Sequence, residues 1–470
     1  MSLETPTLSY NPISDDVMRA LQAIFGPERA SRQPEDLFTY SFDATRQEFP
    51  PQAVVWAESE EEICALMRLA NQHRFPVYPR GGGTGFTGGA LPVHGGVVLS
   101  LEHMDAIVEL DEANRFVTAQ SGIALGELKT HLLAKGLFYP PDPSSAKTAT
   151  VGGSLAECAG GLNCVKYGVT KEWVQSLRAV LPNGEAVQIG TKARKNVVGY
   201  NLLPLLIGSE GTLAVITEAT LRLVPYPPHR QAFVALFDSV AAAIESVQRI
   251  LMSGVTPSAL EFIDRRCLEA ANQYLKDKRM PVADALLLIE CDGFDPQRIQ
   301  DEQDALIEVS KDCGAQEIHP AQTEEERMAL WSIRKNLSPA MHAIAPFKTN
   351  EDICVPISEI QGILNDAYAI GDKYKIATLC FGHAGDGNLH VNFMTHNEHD
   401  PNIEAAVAEL FQATIKRQGS ISGEHGIGVT KAPYLEMEVG TAVKNMFIEL
   451  KKMFDPNNIL NPDKIAVKTH

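Results

Sequence analysis

Pro79-Arg-Gly-Gly-Gly-Thr-Gly-Phe-Thr-Gly-Gly89 decides how the first half of this chain folds. Within it, Gly83-Thr-Gly-Phe-Thr-Gly88 satisfies G-x-G-x-x-G and follows an apolar run, Phe75-Pro-Val-Tyr-Pro79. Glu102 stands about 20 residues further on, where a Rossmann fold would place its ribose-binding acid. The context fails. That fingerprint must open a helix, yet Gly89-Ala-Leu-Pro-Val-His-Gly-Gly96 carries a proline and three glycines. No helix N-terminus is then present to hold a pyrophosphate, so a nicotinamide enzyme is disfavoured. A Walker A loop is excluded because no Gly-Lys-[Ser/Thr] occurs there. Glycine-rich backbone can still cradle phosphates through its own N–H groups. A second glycine-dense stretch runs from Pro140 to Gly168, with little periodic pattern. Two such loops in one domain suit an extended ligand lying between them.

Outward from the loop, residues 17–25 have helical apolar spacing, and Ala53–Glu58 reads as a buried strand. Ser59 with Glu62 forms a capping box for a helix carrying Ile63, Leu66, Met67 and Ala70. With the strand at 75–79 this makes a β-α-β unit, expected to be parallel. Short strands follow at 97–101, 107–110 and 116–119, then a helix at 126–135 ending at Gly136. Residues 174–181 and 186–189 read as a hairpin around Asn183-Gly184, and 213–224 closes this half. Tyr226-Pro-Pro228 marks a boundary. Beyond it, helices (240–252, 298–314, 359–371) alternate with strands (232–237, 285–291, 376–381), which predicts an α+β domain.

The 470 residues allow two domains with sizeable cores. A net charge of −18 disfavours nucleic acid, because phosphate binding needs a positive surface. Apolar runs such as 285–289 and 202–207 are too short to cross a bilayer, and residues 1–16 lack the pattern of a signal peptide. Eight cysteines without a CxxC pair suggest neither a zinc ribbon nor a disulfide framework. Cytoplasmic residence is expected; peripheral contact with the inner membrane is left open.

Chemistry is concentrated in Gly382-His-Ala-Gly-Asp-Gly-Asn-Leu-His-Val-Asn392 and Ser422-Gly-Glu-His-Gly-Ile-Gly428. Imidazoles and a carboxylate suit zinc or manganese, and a further histidine is free to move protons. His390 and Asn392 are two apart and share a strand face. Glu424 and His425 are adjacent, so they need different roles. Asp386, between two glycines, reads as a turn former. The bland alternative is a set of hydrogen-bonded loop histidines.

At this point a resemblance enters. Pro79–Gly85, Pro141-Asp-Pro-Ser144, Thr150-Val-Gly-Gly153 and Gly208-Ser-Glu-Gly-Thr212 resemble an FAD-binding domain of the vanillyl-alcohol-oxidase type. With His383, Glu424-His425 and Asp455-Pro-Asn-Asn-Ile-Leu-Asn-Pro462, the chain is similar to FAD-dependent D-2-hydroxyacid dehydrogenases: D-lactate dehydrogenase, the glycolate oxidase FAD subunit and D-2-hydroxyglutarate dehydrogenase. The resemblance covers nearly the whole chain. It implies a helical leader (1–48), a two-subdomain FAD-binding domain (49–226), an α+β substrate or cap domain with an antiparallel sheet and a metal site (227–420), and a C-terminal segment returning to the flavin (421–470).

The residues it implies for the cofactor are Arg80, Gly81, Gly82, Gly83, Thr84, Gly85, Gly88 and Gly89 at the pyrophosphate. Pro143, Thr148, Gly152, Gly153, Gly160, Gly161, Asn163 and Gly168 fall near the flavin, and Glu210, Gly211 and Ile216 on the adenine side; Asn461 also falls to the cofactor. Some relatives attach FAD through a histidine in the first loop; residues 80–90 contain none, so non-covalent FAD is expected. His383, His390 and Glu424 are implied metal ligands, for zinc or manganese, and His425 the base. Arg334 and Lys348, with Ser338 as a weaker candidate, are implied for the substrate carboxylate; the bland alternative is a solvated charge, more so for Lys348 than for Arg334. Asn388 and Asn392 would support or touch substrate, and Lys335 would face solvent. The implied substrate is a small D-2-hydroxyacid, D-lactate first, with glycolate or D-2-hydroxyglutarate as the alternative. Electrons would pass to a quinone, an electron-transferring flavoprotein or another subunit. A homodimer is left open.

Overall fold

In the computed structural model, which describes residues 10–275 and 281–465, a four-stranded sheet carries the glycine loop. Residues 1–9 of the expected leader and 466–470 of the expected C-terminal segment lie outside the described residues. Ser59 accepts a hydrogen bond from Glu62 N–H and caps the helix Glu60–His73, which buries Ile63, Leu66, Met67 and Ala70. The flanking strands Ala53–Trp56 and Val77–Arg80 are parallel but not neighbours. Val97–Ser100 lies between them, parallel to both. Adjacent parallel strands need a crossover of about a dozen residues or more, usually a helix. Residues 81–96 make this one without a helix, as the proline and glycines require.

A five-stranded antiparallel sheet follows, in the order Ile107–Asp111, Phe116–Gln120, Val215–Arg222, Val174–Val180, Ala186–Gly190. The stretch 140–168 is more regular than expected. It holds the helix Val151–Glu157, capped by Thr150 accepting from Gly153 N–H, and the short helix Cys164–Tyr167. Gly152 and Gly153 lower helix propensity and hid this pattern; burial of Val151 and Leu155 outweighs that cost.

The second half is built on a seven-stranded antiparallel sheet, in the order Glu317–Pro320, His229–Phe237, Ala285–Gly293, Ala259–Asp264, Ala377–His383, Asn388–Thr395, Phe347–Cys354. Alternating residues serve opposite faces. Leu287, Ile289 and Cys291 enter one core with the helices Val240–Met252, Pro296–Asp312, Ile360–Tyr374 and Ile403–Lys416. Leu286 and Leu288 enter a second core with Arg265–Tyr274 and Glu324–Lys335. That second face also carries a polar row, because Glu261 pairs opposite His383, Phe381 opposite His390, and His390 opposite Asp352. After the helix Leu435–Phe454 the tail returns to the first sheet: Leu460 bridges Val77 in parallel, and Asn461 N–H donates to Val77 O at 2.8 Å.

Candidate active site

A cavity of about 1200 Å³, partly open to solvent, lies between the two glycine-rich stretches. Ordinary small-molecule pockets are about 300–1,000 Å³. Arg80, Gly81, Gly82, Gly83, Thr84, Gly85, Gly89, Pro143, Gly152, Gly153, Gly160, Glu210, Gly211 and Ile216 all line it. Glycine is needed at several of these points: a Cβ on Gly82 would strike the Thr148 carbonyl, and one on Gly152 the Ser121 side chain. Arg80 Nη1 is buried without a partner, a cation suited to a phosphate. The wall therefore fits an extended, diphosphate-bearing ligand.

Six residues expected at the cofactor stand behind this wall instead. Thr148 presents its carbonyl to Gly82, Gly161 packs on Asp142, and Gly88 lies against Leu91 and Val429. Asn163 donates to Pro140 O at 3.0 Å, and Gly168 closes the short helix with φ 73°. Asn461 donates to Gly89 O (2.9 Å) and Glu210 O (2.7 Å), which ties two cofactor-side segments together. They shape the wall rather than form it.

Glu424 and His425, on a loop, line this cavity and reach the polar row of the sheet. Glu424 Oε1 lies 3.6 Å from His383 Nε2 and 3.5 Å from His390 Nε2. Two ligand atoms about 2 Å from one tetrahedral ion stand about 3.3 Å apart, so this trio fits a divalent cation. Its donor atoms all fall within 4.8 Å of one another. Burial would lower the His383 pKa, but Glu261, whose Oε1 is 2.6 Å from His383 Nδ1, raises it to about 10. For His390, burial outweighs the Glu424 charge 3.5 Å away and lowers the pKa to about 3. His425 Nε2 is 4.0 Å from Glu424 Oε1, while Nδ1 is 3.2 Å from Asp352 Oδ1. Burial depresses this imidazole too, and Asp352 more than reverses the effect. Its ring stacks on that of His390 and meets the tilted ring of Phe86 at 5.0 Å.

The loop bearing these two residues is held from both halves of the chain. Asp352 Oδ2 accepts the backbone N–H groups of Gly423, Glu424 and His425 at 2.8, 2.6 and 3.0 Å. Lys431 Nζ also binds Asp352. From the other side Glu210 accepts Ile427 N–H and Gly428 N–H, each at 2.7 Å, and Thr87 Oγ1 donates to His425 O at 3.0 Å.

Residues 226–465 match the family model for the C-terminal domain of FAD linked oxidases, and residues 51–190 match that for an FAD binding domain. The chain belongs to the FAD-linked oxidases. It is an FAD-dependent oxidoreductase. Glycolate oxidase subunit GlcD of Bacillus subtilis (strain 168) is 40% identical over 461 residues, which cover 97% of this chain and 98% of that one. D-lactate dehydrogenase of Anaerostipes hadrus is 34% identical, with 98% and 99% covered. In fold, substrate-bound p-cresol methylhydroxylase superposes with a TM-score of 0.80 at 16% identity, covering 96% of each chain. The two-domain α+β fold expected of a vanillyl-alcohol-oxidase relative is thus present.

In this FAD-linked oxidase the expected substrate residues fare unequally. Arg334 Nε binds Glu261 Oε2 at 2.5 Å, and its guanidinium lies over the Phe381 ring, beside the metal-type trio. Lys348 Nζ donates to Ser338 Oγ at 2.5 Å, so those two meet. Asn392 is fully buried; it donates to His390 O and Leu379 O and accepts from Asn350. It braces the strand beneath His390 instead of offering a free amide. Asn388 likewise donates to Ile353 O. Asp386 accepts from Asn388 N–H, the turn role expected of it, and Lys335 is exposed. Sequence reasoning missed Glu261, Asp352 and Arg46. The signal was faint: Glu261 is an acid in the middle of the largely apolar strand Ala259–Asp264, and Asp352 is one of two adjacent acids in Phe347–Cys354. Burial lowers the Lys348 ammonium, and the charge of Arg46, at φ 63°, adds to that.

Proposed function

We propose that this chain oxidises a small D-2-hydroxyacid, D-lactate first, to the 2-oxoacid, using non-covalent FAD and a divalent cation, zinc or manganese. The observation that carries the reading is the shared loop: Glu424 and His425 line the cofactor cavity and close the histidine cluster. When bound, FAD supplies a hydride acceptor and the cation a Lewis acid for the substrate hydroxyl. His383, His390 and Glu424 hold the cation, with Glu261 fixing the ring of His383 through Nδ1. His425 Nε2 takes the hydroxyl proton, and Asp352 at Nδ1 sets its tautomer and stabilises the charge it gains. Arg334, and Lys348 with Ser338, receive the carboxylate. The electron acceptor is a quinone, an electron-transferring flavoprotein or another subunit. No described helix is long and apolar enough to cross a membrane; cytoplasmic residence, with peripheral contact at the inner membrane left open, is part of the proposal.

A panel of D-2-hydroxyacids scored by anaerobic flavin bleaching tests this. Bleaching by D-lactate and not by L-lactate or NADH is expected; bleaching by glycolate or D-2-hydroxyglutarate alone moves the substrate within the family. Thorough chelation should stop bleaching, and zinc or manganese should restore it; indifference to chelation rejects the cation. The word "subunit" in the name of the Bacillus relative favours a second reading, a flavin-carrying subunit active only in a complex. Bleaching by the isolated chain would reject it.

A further inference from the structure

Glu157 ends the helix Val151–Glu157 and lines the cofactor cavity. Its Oε2 is buried with no hydrogen-bond partner. The carboxyl is wedged between the glycine loop and the loop carrying His425: a Cβ on Gly89 would lie 2.9 Å from its Oε1, and one on Gly426 would collide with its Oε2. Glu210 reaches the same two glycines, its oxygens 3.8 and 3.0 Å from those Cβ positions. The two acids differ in one respect. Glu210 is satisfied by the N–H groups of Ile427 and Gly428, whereas Glu157 Oε2 has nothing.

Two buried carboxylates this close cannot both stay ionised without a large cost, and the one lacking donors keeps the proton. Burial first, and the neighbouring Glu210 second, push the Glu157 carboxyl well above its ordinary range. A protonated carboxyl differs in kind from its anion, because it can donate. An anion here would repel a diphosphate; a neutral acid would not. FAD carries acceptors along its whole length. We propose that Glu157 is a neutral hydrogen-bond donor to an acceptor atom of bound FAD, with Glu210 as the charged partner that anchors the His425 loop. This rests on the reading of the cavity as the FAD site.

The test is FAD affinity, measured by flavin fluorescence on flavin-stripped protein. Glu157→Gln keeps a donor and should bind within threefold of wild type. Glu157→Leu keeps the bulk, loses the donor, and should bind at least tenfold more weakly, with circular dichroism confirming its fold. Leucine equal to wild type, or glutamine as weak as leucine, overturns the proposal. Should the leucine variant not fold, infrared difference spectra of wild type against Glu157→Gln decide. A carboxylic-acid carbonyl band that shifts when FAD is added supports the donor; its absence overturns it. Wild-type protein that takes up no FAD would refute the cavity assignment itself, a separate outcome.

Discussion

The glycine-lined cavity and the histidine cluster meet at Glu424 and His425, yet they are made of opposite materials. The cavity is mostly backbone: glycines whose missing Cβ atoms leave room, with Arg80 as a cation in its wall. The cluster is side chain, projecting from paired strands whose register brings Glu261, His383, His390 and Asp352 into one row. Backbone sites are damaged by adding atoms and side-chain sites by removing them. The two regions should therefore separate cleanly under mutation.

The largest effect expected is on chemistry alone. His425→Ala should keep its flavin and reduce it about 10²–10⁴-fold more slowly; wild-type reduction kinetics would place the base elsewhere. Gly82→Val is the converse, since its side chain meets the Thr148 carbonyl. Overpacking of about 1–3 kcal/mol should weaken FAD binding by about 5–150-fold, visible as lost flavin stoichiometry with cation binding intact. Glu261→Gln should lower cation affinity about 10–100-fold at full flavin occupancy; equal loss of both ligands would mean the regions are not separable.

Smaller effects sharpen the same contrast. Burial raises the Glu261 pKa, but His383 and Arg334 carry it down from 4.5 to about 2. A lowered carboxylate pKa contributes stability that is complete above 4.5 and is lost as pH falls toward about 2. In cation-free protein, the advantage of wild type over Glu261→Gln in thermal melts should shrink across that window; a constant gap contradicts the pairing. Last, Lys335→Ala should change stability by no more than about 0.5 kcal/mol, since its side chain faces solvent.

Much of the backbone-built region could be read from residue order. A proline and glycines after Gly88 forbid a helix, and none forms. The helix Val151–Glu157 escaped because glycines argue against a helix locally while Val151 and Leu155 pay for it by tertiary burial. Four of the side-chain residues were visible because they crowd into two short motifs. Their buried partners were not, because an acid in a strand looks alike whether it meets water or a histidine.

By itself, then, the sequence determined the glycine crossover, the α+β character of the second half, and the identity of His383, His390, Glu424 and His425. Tertiary structure alone decided that Val97–Ser100 inserts between the strands of the β-α-β unit. It also decided that Glu261 reaches His383, that Asp352 reaches His425, and that Glu210 fastens the loop carrying His425 to the wall of the glycine-rich cavity. The physical reason is one of range. Turns and helix starts are set by neighbours a few residues apart, whereas strand register and the pairing of buried charges depend on segments that only folding brings together.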